Sequence, residues 1–308
     1  MKLFFFLLLF LLILLHPGMS VHFAATGLKL WFECMVPALL PFMILSGIMI
    51  RQNLTERFSK VLSPILAPIC RLSGHCIYCM ILGFLCGFPM GAKTVAELYE
   101  RKQLTKKEAS LLLAFCNNIG PVYFLNFLLP TIGMKKPIQI LICTIGMYGI
   151  PLCYGIFLRY SNFLLPKGVF TDPTKETLSP TEPFFQSLDD SMQSGIAGIT
   201  TLGGYMIFFN LLNLIPYVLL SAADSVHTEK IRLFFHCITE ITNGVNYCGT
   251  QMPFLVLLIL PIGGLSCIAQ TASMIKNTDL SLKNYLVHKL VQTMLTIFYY
   301  YFLCRFLL

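Results

Sequence analysis

Charge is what this sequence has least of. Only 12% of its 308 residues are Asp, Glu, Lys or Arg, against about 25% in a soluble domain. So few charges cannot clothe a wet surface, and a hydrophobic content of 56% needs lipid as its solvent. Acid is scarcer than base, with 14 Asp and Glu to 22 Lys and Arg. The basic residues are scattered between apolar blocks and form no stripe, so there is no nucleic-acid partner. They read as loop residues sorted to the cytoplasmic side. Catalytic signatures are missing as well: there is no P-loop, no G-x-S-x-G and no H-E-x-x-H, and Ser266 lacks a flanking glycine pair. Nucleotide hydrolysis within the chain is excluded, the chain does not read as an enzyme, and no cofactor is called for. A second C-x-x-C is also missing. Cys76-x-x-Cys79 after His75 therefore reads as the opening of an apolar segment, and no metal site is expected. Cysteines such as Cys34, Cys116 and Cys267 sit inside apolar runs, where they act as small hydrophobes without a disulfide framework.

What remains is a series of apolar segments. Residues 3–15 are short for a span and shaped like a signal-peptide core, but apolar residues continue past Pro17. This favours a retained N-terminal transmembrane helix within residues 1–29. A first unit, 30–165, holds spans at 30–50, 111–130 and 137–158, a Gly/Pro-broken segment at 76–92 and a charged arm at 93–110. Residues 166–190 carry four prolines and little periodicity, which marks a polar linker. The second unit, 191–308, has apolar segments at 191–220, 233–249, 254–274 and 290–308, with a second polar arm at 276–289.

The two units echo each other. Gly87-Phe-Pro-Met-Gly-Ala-Lys-Thr94 aligns with Gly264-Leu-Ser-Cys-Ile-Ala-Gln-Thr271, and Leu104-Thr-Lys-Lys107 with Leu280-Ser-Leu-Lys283 at nearly the same offset. Paired broken segments in corresponding places of two halves point to a transporter site. If each broken segment is re-entrant, three crossings precede the second unit, and the odd number inverts it. The expected fold is therefore an all-α integral membrane protein of about six transmembrane helices plus two re-entrant Gly/Pro-broken hairpins in two inverted repeats.

Polar residues at membrane depth nominate the site. Glu240 is a carboxylate inside an apolar stretch, with Thr242, Asn243 and Gly244 beside it. Such a group is costly in lipid and defaults to a functional reading; a hydrated entrance and helix-packing glue are the competing ones. Asn117 and Asn118 precede Gly120-Pro121 in mid-span, where Pro121 cannot donate to the ladder and frees the carbonyl of Asn117. Broken backbone is tolerated there only when buried in protein or lining a cavity, although Asn as interhelical glue is common. Gly87, Pro89 and Gly91 let the chain turn, with Lys93 and Thr94 just beyond; a lysine near a helix N-terminus suits an anionic solute, and snorkelling to the interface is the alternative for Lys93. Gly264, Ser266, Gln270 and Thr271 are the repeat counterparts.

The motifs Gly87–Thr94, Phe115-Cys-Asn-Asn-Ile-Gly-Pro121 and Glu240-Ile-Thr-Asn-Gly244, in that order, resemble the YlbJ (SpoVV) family of sporulation integral membrane proteins. That family carries a nucleoside-recognition gate domain similar to the cores of ferrous-iron and concentrative nucleoside transporters. Ile119 stands where the family pattern leads one to expect serine, which removes a hydroxyl. The resemblance implies a multi-pass protein of the bacterial cell membrane or the outer forespore membrane. It also implies transport of dipicolinic acid during sporulation, through the residues named above. A nucleoside-type carrier and a non-transporting sporulation factor are the alternatives. The implied partners are the lipid bilayer and a small-molecule solute, with a homo-oligomer or other sporulation membrane proteins left open.

Overall fold

Helix is the only regular element among the described residues, 2–161, 183–221 and 226–307 of this computed structural model. Lipid offers no partner for backbone N–H and C=O groups, and helices satisfy them within the chain. α1 (Lys2–Leu15) ends at His16, and Pro17 opens α2 (Pro17–Arg51), where its missing N–H costs nothing. α2 runs unbroken for 35 residues, so the boundary expected at residues 29 and 30 lies inside one helix. Short helices α3 (Thr55–Ser59) and α4 (Ser63–Cys70) lead to α5 (Gly74–Cys86) and α6 (Met90–Glu100). α7 (Lys106–Phe115) starts at a reciprocal cap: Thr105 Oγ1 accepts from the Glu108 N–H at 3.3 Å, and Glu108 Oε2 from the Thr105 N–H at 2.9 Å. After a break, α8 (121–131) and α9 (Pro137–Tyr160) complete the first unit.

α10 (Phe184–Leu211) begins six residues before the expected end of the linker at residue 190, and the linker's residues 166–182 lie outside those described. α11 (Leu214–Leu219), α12 (Val226–Thr239), α13 (Ile241–Cys248), α14 (Pro253–Ile259), α15 (Gly264–Met274) and α16 (Leu282–Leu307) follow. Among the described residues, four helical stretches are long and apolar enough to cross a membrane: Pro17–Arg51, Pro137–Tyr160, Phe184–Leu219 and Pro253–Met274. α2 and α10 pack closely along small residues. A Cβ on Gly27 would stand 2.8 Å from the Met206 carbonyl oxygen, and Trp31 Nε1 donates to the Ile199 carbonyl at 2.7 Å.

Contacts between helix ends sort them into two poles. At one, Asp279 Oδ1 accepts from the Tyr99 hydroxyl and Asp279 Oδ2 from Lys106 Nζ, both at 2.7 Å. Gln103 Nε2 donates to Asn53 Oδ1 at 2.8 Å, and Gln52 Nε2 to Ser187 Oγ at 2.7 Å, at this same arm pole. At the far pole, Gly133 lies against Thr250, and an Arg232 guanidinium N–H donates to the Leu220 carbonyl at 2.7 Å.

These contacts correct the expected repeat. Inversion of the Gly87–Thr94 and Gly264–Thr271 match would place the two polar arms at opposite poles, yet Asp279 joins them directly. α6 and α15 instead both run from a break toward the arm pole. The opposed elements are two fold-backs. α5 and α6 fold against each other at Gly87–Pro89, with their open ends at the arm pole. α12 and α13 fold back at Glu240, with open ends toward the far pole. A Cβ on Gly244 would come within 2.6 Å of Cys237 Cα, and the sulfurs of Cys237 and Cys248 lie 3.2 Å apart across the pair. The second fold-back therefore sits at Glu240 rather than in the 254–274 segment, which is a single apolar stretch of 22 residues with a turn at 260–263.

Candidate functional site

Four backbone breaks meet at the centre of the helix bundle. Gly87 takes φ +87°, a conformation few side chains tolerate, and a Cβ there would lie 2.3 Å from the Gly120 nitrogen. The α5–α6 tip is thus pressed backbone to backbone against the 116–120 break. The α12–α13 tip meets the 260–263 turn in the same manner: a Cβ on Gly264, at φ +80°, would stand 2.9 Å from the Ile238 carbonyl oxygen. Phe88 joins the two halves, with its ring edge 3.2 Å from where a Gly263 Cβ would be.

Between the tips lies a cavity of about 410 Å³. Most of its wall is apolar, from Leu39 and Phe42 of α2, Phe88 of the first tip and Met206 of α10. Its polar wall consists of Tyr123, Asn126, Glu240, Thr242 and Gln270. A concave, mainly apolar pocket with few convergent polar groups is the usual form of a small-molecule site. Glu240 is only 1% exposed. Its carboxylate accepts the Thr242 N–H at 3.2 Å and the Asn243 N–H at 2.8 Å, capping α13. The Asn243 amide in turn donates to Asn210 Oδ1 on α10.

Of the residues nominated by sequence, Gly120, Glu240, Thr242 and Gln270 line this cavity. Asn117 stands behind it: its Oδ1 accepts the Ala92 N–H at 3.3 Å, and its Nδ2 donates to Thr271 Oγ1 at 2.9 Å and to the Tyr285 hydroxyl at 3.3 Å. One side chain thereby ties α6, α15 and α16 to the first break. Asn118 Nδ2 returns to the Phe115 carbonyl at 2.7 Å. Ser266 is buried and accepts from Gln270 Nε2 at 2.9 Å. Gly87, Pro89 and Gly91 shape the α5–α6 tip, Gly264 opens α15 against the α12–α13 tip, and Thr94 is buried in α6 with its hydroxyl unpartnered. Lys93 is elsewhere. It is ion-paired to Glu97, donates to Ser194 Oγ at 3.1 Å, and lines a separate polar cavity of about 260 Å³ with Glu100 and Lys276. The structure does not bring Lys93 to Glu240's cavity.

Sequence reasoning missed a polar stripe on α16. Tyr285, Lys289, Gln292 and Thr296 are all at most 2% exposed. Their spacing of four, three and four residues puts them on one helical face, a signal hidden by assigning residues 276–289 to the polar arm. Lys289 Nζ donates to Asn118 Oδ1 at 2.9 Å and to Gln292 Oε1 at 3.3 Å, and Gln292 Nε2 donates to the Ala114 carbonyl at 2.6 Å. The ammonium also lies over the rings of Phe88 and Tyr285, at 5.3 and 5.9 Å. Asn210 was missed too, in a span flagged only for its glycines. His75, beside Cys76 and Cys79, bonds Thr55 Oγ1 at 2.8 Å through Nδ1. No group of three or more His, Cys, Asp and Glu gathers for a metal ion among the described residues. At the arm pole, hydrogen bonds from Lys106 and then Tyr99 hold the Asp279 carboxyl below its ordinary pKa, and Asp279 raises that of Lys106.

Residues 34–135 match the family model for Gate, nucleoside recognition, a region that contains the first fold-back and the 116–120 break. The chain is also 27% identical to the sporulation integral membrane protein YlbJ of Bacillus subtilis (strain 168), over 94% of this chain and 78% of that protein. The resemblance read from the three motifs thus extends along nearly the whole chain. No solved structure matches it. With its apolar helices, this makes the chain a multi-pass integral membrane protein, similar to a sporulation protein and carrying a region that matches the gate model.

Proposed function

We propose that this protein carries a small polar, anionic solute across a membrane, and that the solute is dipicolinic acid during bacterial sporulation. The observation that supports this most is the central cavity held between two fold-backs that open toward opposite poles. A solute at such a place can meet either side of a membrane when one tip or the other moves. In this reading α5–α6 and α12–α13 are re-entrant, the other long helices cross, and no bond of the solute is made or broken. The arm pole gathers Arg51, Arg101, Lys102, Lys106 and Lys276, which suits the cytoplasmic side. The cavity of about 410 Å³ has room for one aromatic dicarboxylate.

The gate match favours a second reading, a nucleoside-type solute, because Asn126 and Gln270 offer neutral donors and acceptors at the wall. Spore content separates the two. Spores of a deletion strain are expected to lack most dipicolinic acid and to regain it on complementation, whereas normal dipicolinic acid in those spores excludes it as the cargo.

A further inference from the structure

We infer that Lys289 is the anion-anchoring residue of this site, reached by a solute carboxylate when the Phe88 ring turns aside. The inference rests on the transport reading above and assigns to it a charge that the cavity wall does not itself display. Lys289 is 1% exposed inside the helix bundle. A charge so placed is ordinarily paired or in contact with a permeating species. Its hydrogen-bond acceptors, Asn118 Oδ1 and Gln292 Oε1, are neutral amides, and none of the ion pairs among the described residues involves it. Glu240, the carboxylate of the cavity, is engaged by backbone N–H groups instead.

A lysine whose task were only to fasten α16 to the 116–120 break would not need its charge. Gln292, three residues on, holds α16 to the end of α7, just ahead of that break, as a neutral amide through the Ala114 carbonyl. The charge therefore points to a partner that comes and goes. Its access route is short. The ammonium lies 5.3 Å from the centre of the Phe88 ring, and Phe88 is itself cavity wall. The Phe88 ring, carried on the tip of a fold-back, thus touches both the cavity and the ammonium. Turning that ring lets a carboxylate replace the π-face with a charge-assisted hydrogen bond, roughly twice as strong as a neutral one.

The test uses the full-length protein in proteoliposomes, with binding to the detergent-purified protein measured in parallel. The solutes are pyridine-2,6-dicarboxylate, the neutral pyridine-2,6-dicarboxamide and uridine. K289Q is expected to raise KM and Kd for the dicarboxylate by about tenfold or more, the loss of one charge-assisted hydrogen bond, while leaving those for the neutral solutes within about twofold. K289R retains the anion preference. F88A admits the dicarboxylate with a faster on-rate but keeps its dependence on Lys289. An equal loss for charged and neutral solutes in folded K289Q, or an unchanged dicarboxylate KM, overturns the inference. Wild-type protein that carries uridine or the diamide but no carboxylate overturns it while leaving transport intact. Wild-type protein that neither carries nor binds any of the three overturns the transport reading as well.

Discussion

At the scale of single residues, the site is defined by how closely backbone approaches backbone. Gly87 combines φ +87° with a neighbour at 2.3 Å that is backbone and cannot swing away. Gly87→Ala is therefore expected to cost about 1–3 kcal/mol for the backbone conformation alone, with the collision against Gly120 added. Gly204 has nothing within 4 Å of its would-be Cβ, so Gly204→Ala should be neutral or stabilise by up to about 1 kcal/mol. Thermal unfolding in detergent compares the pair, and equal melting temperatures for the two variants would refute the close crossing of the tip and the break. Glu240→Ala removes the cap of α13 and should destabilise by about 1 kcal/mol, with Glu240→Gln losing less. These residues were legible in the sequence because Gly, Pro, Asn and a stray carboxylate mark breaks by type. Lys289 was not, because a lysine near a helix start looks like an interface residue until the helix face it shares with Tyr285, Gln292 and Thr296 is set against its neighbours.

Helices and the turns between them show what a one-dimensional pattern leaves open. The helix breaks at 87–89, 116–120, 240 and 260–263 fall in or beside the segments 83–94, 117–121, 240–244 and 261–271 that composition marks. Their angles do not follow from composition. Gly263-Gly264 turns an otherwise straight apolar stretch, whereas the chain reverses at Glu240, where a carboxylate can accept the first N–H groups of the returning helix. The repeat match misled for the same reason: eight aligned positions recorded two similar helix starts, not the direction of the elements before them. The arm contact is accessible to experiment. Asp279 is held below its ordinary pKa chiefly by Lys106, so its contribution is complete above the unfolded carboxylate value of 3.8. That contribution is lost as pH falls through the lower folded value. Lys106 is raised, so its share is complete below its unfolded value and disappears as pH rises through the folded one. Spin labels at residues 103 and 278 should therefore report a short inter-arm distance at neutral pH that broadens in acid. Asp279→Asn should abolish the acid dependence, and an acid response unchanged in that variant would assign it to another group.

For the whole molecule, the two fold-backs opening to opposite poles underlie both the topology and the proposed transport. Single cysteines at 103 and 278, in protein whose own cysteines are replaced, are expected to react with an impermeant reagent from the same side of the membrane. Those at 133 and 250 are expected to react from the other. Labelling of 103 and 278 from opposite sides would restore the inverted pairing of the two polar arms and remove the present assignment of the fold-backs. The fold class and its membrane character were readable from composition, since lipid solvation acts on every residue. The meeting of Glu240, Phe88 and Gln270 around one cavity was not, because it depends on contacts between distant segments.

The most direct test of the transport reading is uptake of labelled dipicolinic acid by proteoliposomes containing the purified wild-type protein, against protein-free liposomes and against Glu240→Ala. Uptake that saturates, requires the protein and falls in the variant is the predicted result. Absence of protein-dependent uptake of dipicolinic acid and of nucleosides, in protein that remains folded after reconstitution, would contradict it.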